Sequence, residues 1–360
     1  MIFPMGAICI TNDFKEMSLA SAQKWVQEQG WPRYRAEQIF EWIYRKGAKT
    51  FSDMTNLSKQ DREHLEVQCE ISRLKIIKHQ ISQDGTEKFL FILKDKNQIE
   101  SVLIPDEDRL TLCISSQAGC GLDCQFCFTA VGGLKRNLKP HEIVDQVLIV
   151  KQQLSENRTL TNIVLMGMGE PLANLDNTLE AIQRITDPKG LAISPRRITI
   201  STVGLVPQIQ DLGKRAPQIN LAVSLNATTN EQRNRLVPIN QSYPLEKLLQ
   251  ACKEFPLSPR RRIFFEYVLL NGVNDSLEDA KRLVQLVRGI RCKINLIPFN
   301  EYPGSFFSRP AQEQVIKFQN ILLSANLTAF IRKTKGQDIL AACGQLVGKS
   351  SDLPEPIPLV

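Results

Sequence analysis

The spacing of apolar residues changes character twice along the chain. Over the first seventy residues they recur at three- and four-residue steps, the period of one helical face. Ser18 caps a predicted helix that runs to Gln29, and WPRYRAEQIFEWIYRKG sets Ala36, Ile39, Phe40 and Ile43 on one stripe until Gly47 stops it. A further helix is predicted from the Asn56-Leu57-Ser58 cap towards Glu70. From about Leu74 to Ile104 the period falls to two. KIIKHQIS, an Asp84-Gly85 turn, KFLFIL, a KDKN turn and QIESVLI predict a three-stranded meander. Alternation alone puts Glu100, between Ile99 and Ser101, on a solvent face.

Beyond Arg109 short apolar runs alternate with helical patterns, the signature of βα units and a parallel sheet. Strands are predicted at Leu110–Ser115, Asn162–Met166, Arg197–Ser201, Asn220–Leu225, Ile263–Leu269 and Lys293–Pro298. Helices fall between them at Pro140–Gln153, Asp176–Thr186, Pro207–Lys214, Leu245–Glu254 and Leu277–Val287, and a last helix, Gln312–Ser324, leads to a short strand, Leu327–Ile331. Six βα units are too few to close an eight-stranded barrel, so the expected fold is α/β, an open partial (β/α)6 barrel. The expected domains are a small helical one at 1–72, the meander at 73–105, the barrel at 106–347 and a loose proline-rich tail at 348–360.

Composition narrows the class without naming a function. With 42% hydrophobic and 23% charged residues among 360, the chain reads as an ordinary globular protein. No apolar run reaches a membrane span, and the opening MIFPMGAICITND lacks the basic start of a secretory signal. A cytosolic setting follows, where nine cysteines point to ligands, catalysts or buried thiols and not to a disulfide framework. The net charge of +7 permits a polyanionic partner without demanding one. Arg33, Arg35, Arg45, Lys46 and Lys49 cluster in the helical module and suit either a phosphate backbone or a solvated face.

The candidate chemistry centres on LCISSQAGCGLDCQFCFTA. Cys120, Cys124 and Cys127 are spaced Cys-x3-Cys-x2-Cys, with Cys113 seven residues upstream. Three close thiolates can grip three irons of a 4Fe–4S cluster and leave the fourth open to a small molecule. A zinc knuckle is the alternative, but it wants a fourth Cys or His nearby and none follows within this segment. On the predicted sheet, Gly167, Gly169 and Glu170, Ser201, Ser224 and Asn226, and Asn300 join the cysteine loop at the carboxyl ends of strands, where parallel folds bind ligands. Cys343 sits beside Gly344, and a nearby Arg332, Lys333 or Lys335 would lower its pKa; a small buried residue at a helix end is the duller reading. Cys9, Cys69, Cys252 and Cys292 have no partner spacing.

SSQAGCGLDCQFC followed by GGLKRNL, then MGMGEPLAN, ISPRRITISTVGL, EYVLLNGVNDS, CKINLIPFN and KGQDILAACGQL resembles the RlmN branch of radical S-adenosylmethionine enzymes, from about Trp31 to Gly348. That branch methylates carbon 2 of adenine in 23S ribosomal RNA and, in some members, in transfer RNA. The resemblance implies that Cys120, Cys124 and Cys127 hold a 4Fe–4S cluster. It implies that Gly169, Glu170, Ser201, Ser224, Leu225, Asn226 and Asn300 hold S-adenosylmethionine. By the same likeness Cys343 is the thiol that is methylated and delivers the carbon, Cys113 resolves the adduct through a transient disulfide with Cys343, and Glu100 is the proton acceptor.

It further implies an RNA-binding helical module, an external electron donor such as flavodoxin or ferredoxin, and a monomer. Asn226 stands where many relatives have His, and Phe128 where small residues are common. A Cfr-type enzyme acting on carbon 8 of the adenine shares the cluster and both catalytic cysteines. A non-catalytic iron–sulfur RNA-binding protein is the reading from a different class.

Overall fold

The computed structural model describes residues 12–348; Cys9 and the tail expected after Gly348 lie outside the described residues. The chain divides into two compact units. One gathers the residues up to Leu74 with Lys139–Asn157 and Glu180–Ile193. The other comprises Lys75–Leu138, Arg158–Leu179 and the chain from Ser194 onward. The division does not follow one cut near residue 72, because two later segments fold with the N-terminal helices.

In the first unit, Ser18 caps the helix Leu19–Glu28 by accepting a hydrogen bond from the Ser21 amide at 3.1 Å. Tyr34–Phe40 continues into a π-helical turn, Glu41–Arg45, and the expected stripe turns Ala36, Ile39 and Ile43 inward. Ser58 caps Lys59–Gln68. Phe14 meets the edges of Trp25, Phe40 and Phe51 at centroid distances of 6.0, 5.8 and 6.2 Å. The basic cluster is divided in use. Arg35 pairs with Asp61 at 3.2 Å and Arg45 with Glu41, while Arg33 and Lys49 are exposed.

The second unit is built on a ten-stranded sheet. Its strands are β1 (Lys75–Ile81), β2 (Glu87–Ile92), β3 (Gln98–Asp106), β4 (Arg109–Cys113), β5 (Asn162–Leu165), β6 (Ile198–Thr202), β7 (Asn220–Ser224), β8 (Ile263–Leu269), β9 (Cys292–Pro298) and β10 (Ala329–Ile331). Each strand pairs with its neighbour in sequence. The pairing is antiparallel from β1 to β4 and parallel from β4 to β10. The meander therefore continues the parallel sheet, and the two edges, β1 and β10, leave it open.

The strand β9 alternates buried and half-buried positions, whereas β3 is buried on both faces from Ile99 to Leu103. Helices Val206–Arg215, Leu245–Glu254, Leu277–Leu286 and Gln312–Ser324 separate the later strands. Parallel register turns the carboxyl ends of β4 to β10 to one rim. Among the described residues, no helix is long and apolar enough to cross a membrane.

Candidate active site

The loop after β4 carries the three spaced cysteines. Its base is closed by pairing of Gln117–Gly119 with Leu134–Asn137. Gly119 sits at φ +77°, where a side chain would strike the Gly133 carbonyl, so the closure requires glycine. Cys120, Cys124 and Cys127 line a cavity of about 90 Å³ with Gly167, Gly169, Glu170 and Val203. Burial pushes all three thiols up, Cys120 to about 12, and for Cys124 the thiols of Cys127 and Cys120 add to it. Such thiols give up their protons when a cation shares the site. Three thiols lining one cavity, with no fourth Cys or His among the residues that line it, match the donor set of a 4Fe–4S cluster with one open iron, whereas a structural zinc takes four such ligands.

The Met166-Gly167-Met168-Gly169-Glu170 run folds back on the segment that follows β4. The Met168 carbonyl accepts from the amides of Ser116 and Gln117 at 2.9 and 3.2 Å, and the Glu170 amide donates to Gln117 Oε1 at 2.8 Å. An added Cβ at Gly169 would lie 2.5 Å from the Gln117 side chain, and one at Gly167 would lie 2.8 Å from the Ile114 backbone. Only glycine lets the two segments touch. Glu170 is buried, and burial raises its carboxyl to about 7 although the Val203 and Leu172 amides, at 2.9 and 3.0 Å, hold its oxygens.

The other predicted rim residues fall on the same sheet. Ser201 lies in β6, and Ser224 ends β7 opposite Glu266 of β8. Leu225 and Asn226 follow, both buried. Asn226 adopts φ 60°, a left-handed conformation that Asn tolerates. Its Oδ1 accepts from the Val268 amide at 2.9 Å, while its buried Nδ2 has no partner, an open donor on the rim.

Two organising residues carry no signal in the sequence. Arg233, in the polar helix Asn230–Leu236, is fully buried and donates to the carbonyls of Val203, Ser224 and Leu225 and to Asn240. Asn274 donates to the carbonyls of Asn226 and Val268. Arg233 thus ties the ends of β6 and β7 together.

The segment Arg332–Gly348 brings the remaining groups in. The Asn300 Nδ2 donates to the Cys343 carbonyl at 3.2 Å, the Phe128 amide to the Gly344 carbonyl at 2.7 Å, and the Thr129 hydroxyl to the Leu346 carbonyl at 2.7 Å. Phe128 also stacks on Tyr302 at 4.7 Å. Cys343 is exposed, which sets aside the duller reading of a small buried residue. Its surroundings still raise its pKa by desolvation, with Glu266 adding to the effect. The basic residues do not win: Arg332 opposes the rise but is outweighed. Cys113 is buried at the end of β4, and its thiol is pushed up by burial and by Cys343, which lies close enough to act on it. Both are free thiols here, so the expected disulfide is not formed.

Glu100 does not face solvent. It is 3% exposed in β3 because both faces of that strand are covered. Its Oε1 pairs with Lys88 Nζ at 3.1 Å, and its Oε2 accepts from the amides of Val347 and Gly348 at 2.8 and 3.1 Å.

Comparison with known proteins places these features in one group. The family model for the radical SAM superfamily matches residues 114–284, and that for a ribosomal RNA large subunit methyltransferase N-terminal domain matches residues 12–71. A dual-specificity RNA methyltransferase RlmN from Syntrophobacter fumaroxidans is 50% identical over 345 residues, covering 96% of this chain and 99% of that protein. The protein of the same name from Geotalea uraniireducens is 53% identical over 337 residues, covering 94% and 97%. A crystal structure of a radical SAM methyltransferase from Sphaerobacter thermophilus is 42% identical, with a TM-score of 0.89 over 94% of this chain and 99% of that one.

Proposed function

The chain belongs to the RlmN family of radical S-adenosylmethionine RNA methyltransferases, and from that premise we propose that it methylates carbon 2 of an adenine in 23S ribosomal RNA, with transfer RNA as a second substrate. The reading includes a methylated Cys343 and two S-adenosylmethionine molecules per turnover. One observation carries it: the segment holding the exposed Cys343 thiol is bonded to Asn300 at 3.2 Å and, through the Gly344 carbonyl at 2.7 Å, to the amide of Phe128, the residue after Cys127. A thiol that must be methylated and then yield a hydrogen has to sit against the cysteine loop.

Carbon 2 of adenine lies between two ring nitrogens and has no lone pair for a sulfonium methyl. Direct displacement is therefore closed, and the protein's own sulfur takes the methyl first. The Cys343 thiolate attacks the methyl of one S-adenosylmethionine, and its proton leaves to solvent. Cys120, Cys124 and Cys127 are the residues that would hold a 4Fe–4S cluster, which when bound would supply the electron for reductive cleavage of a second S-adenosylmethionine into methionine and a deoxyadenosyl fragment that takes a hydrogen atom from the methyl on Cys343.

The methylene radical on Cys343 would add to carbon 2, the one electron lost from the adduct would return to the centre oxidised in that cleavage, and the ring proton would pass to Glu100. Cys113 then attacks the Cys343 sulfur. The carbon–sulfur bond breaks with its electron pair going to carbon, which takes a proton, and a Cys113–Cys343 disulfide remains for reduction by an external thiol. Gly169, Glu170, Ser201, Ser224, Leu225, Asn226 and Asn300 line the side on which S-adenosylmethionine is bound in this reading. The unpaired Asn226 amide supplies a donor for a ribose hydroxyl where relatives use His. Exposed Arg33 and Lys49 of the helical unit meet RNA phosphates, and the target base must leave its stack to reach Cys343. A flavodoxin- or ferredoxin-class donor supplies the electrons.

The test is peptide mass spectrometry after anaerobic incubation of cluster-loaded protein with S-adenosylmethionine and reductant, without RNA. A methyl group on Cys343 and on no other cysteine is expected. An unmodified Cys343 overturns the proposal.

A further inference from the structure

In the first unit, three side chains that the proposed reaction does not use converge. Asp13 lies in the short strand Asn12–Asp13, Glu16 follows three residues later, and His141 sits in the first turn of the helix Pro140–Gln153. A nitrogen of His141 and one carboxylate oxygen each of Asp13 and Glu16 lie within 4.8 Å of one another. Among the described residues no other three such side chains are so gathered.

The neighbouring groups are already satisfied. Lys15 Nζ pairs with Asp145, Glu16 Oε1 with Lys139 Nζ at 2.7 Å, and Asp13 Oδ1 accepts from the Lys15 and Ser72 amides at 3.0 and 3.3 Å. Two polar atoms of the group remain without a partner: Asp13 Oδ2 and His141 Nδ1, both buried. His141 is 5% exposed, and burial holds its imidazole in the neutral form that can bind a cation. Orphaned buried polar atoms destabilise the fold unless something bridges them. The helix start carries partial positive charge, so a cation there needs more than one carboxylate, and two are present.

From this convergence we infer that Asp13, Glu16 and His141 form a site for a divalent first-row transition cation of the Mn²⁺, Fe²⁺ or Zn²⁺ class. Imidazole with carboxylates and no thiolate selects that class over softer metals. The exposed side of Glu16 leaves positions for water, so the site is an open one. A bound cation fastens the segment Asp13–Glu16 to the helix Pro140–Gln153 inside this unit.

The test uses full-length protein whose cysteine loop is already loaded with its cluster, so that the thiols do not compete. Cobalt(II) chloride is the probe, titrated anaerobically as the difference spectrum against the cluster. One equivalent is expected to bind with ligand-field bands and without thiolate-to-cobalt charge transfer. Even outer partners of metal ligands are worth about 10–100-fold in affinity, so Glu16→Gln should weaken binding at least about tenfold. His141→Ala should abolish it. Glu16 is exposed, so its variant keeps the fold and the test stands if His141→Ala does not fold. No uptake, a thiolate charge-transfer spectrum, or unchanged affinity in Glu16→Gln overturns the inference.

Discussion

Replacing Glu100 with Gln probes fold and chemistry in one change. In the native chain Glu100 bonds Lys88 at 3.1 Å with both side chains buried, and it holds the Val347 and Gly348 amides just beyond Cys343. Lys88 also donates to the Leu340 carbonyl at 3.2 Å. Glu100→Gln keeps an oxygen for the two amides but leaves a buried ammonium without its counter-charge. Removing one partner of a buried pair costs about 3–5 kcal/mol. Each charge-assisted bond that turns neutral loses about another 1 kcal/mol.

The segment carrying Cys343 should therefore open more often. A loss of about 3 kcal/mol raises the opening equilibrium by about two orders of magnitude, at 1.4 kcal/mol per tenfold. Hydrogen-exchange mass spectrometry on the peptide spanning 340–348 reads this directly. Adding Lys88→Met removes the stranded charge and should restore most of the protection and the melting temperature. It should not restore methylation, because the proton acceptor is still missing. Unchanged exchange in Glu100→Gln, or a double variant no better protected than the single one, refutes the reasoning.

Other substitutions separate the remaining roles. Cys113→Ala should leave a covalent protein–RNA adduct, seen as a shifted band on a denaturing gel, and free product at the wild-type rate would exclude its resolving role. Cys120→Ala should lose the iron–sulfur absorbance on reconstitution and all cleavage of S-adenosylmethionine. Arg233→Lys cannot reproduce the bonds that join β6 and β7, and should lower stability by about 2–4 kcal/mol in thermal unfolding; an unchanged melting temperature would contradict that tie. For Glu266, burial lifts the carboxyl from near 4.5 to about 7. The unfolded chain ionises first as pH rises, so the native state loses stability between those values, about 3 kcal/mol in all. Glu266→Gln should match the wild type near pH 4.5 and exceed it above pH 7, and a constant difference across pH would argue against the buried carboxyl.

Much of the parallel sheet was readable because its strands carry strong apolar runs. Ile263–Leu269 is observed with the predicted bounds, and the ends of the other predicted strands lie within two residues of those observed. The misses share a cause, which is that period and composition report local burial while long-range contacts decide the rest. Helix Asn230–Leu236 has no apolar stripe, because its central residue is an arginine buried by backbone carbonyls of distant strands. The three-residue strand Gln117–Gly119 is too short to alternate. Alternation assigned Glu100 to solvent because it cannot see the segment after Cys343 that covers the strand.

Residue spacing found the cysteine triad, but it could not place Cys343 beside Cys113, residues 230 positions apart in the chain. The basic residues near Cys343 suggested a lowered thiol pKa, and the structure has desolvation outweighing Arg332.

The most direct test of the account is nucleoside mass spectrometry on unmodified 23S RNA incubated anaerobically with cluster-loaded protein, reductant and S-adenosylmethionine. The account predicts 2-methyladenosine, lost in both Cys343→Ala and Cys120→Ala. A product methylated at carbon 8, or no methyladenosine from protein whose cluster is verified, would contradict it.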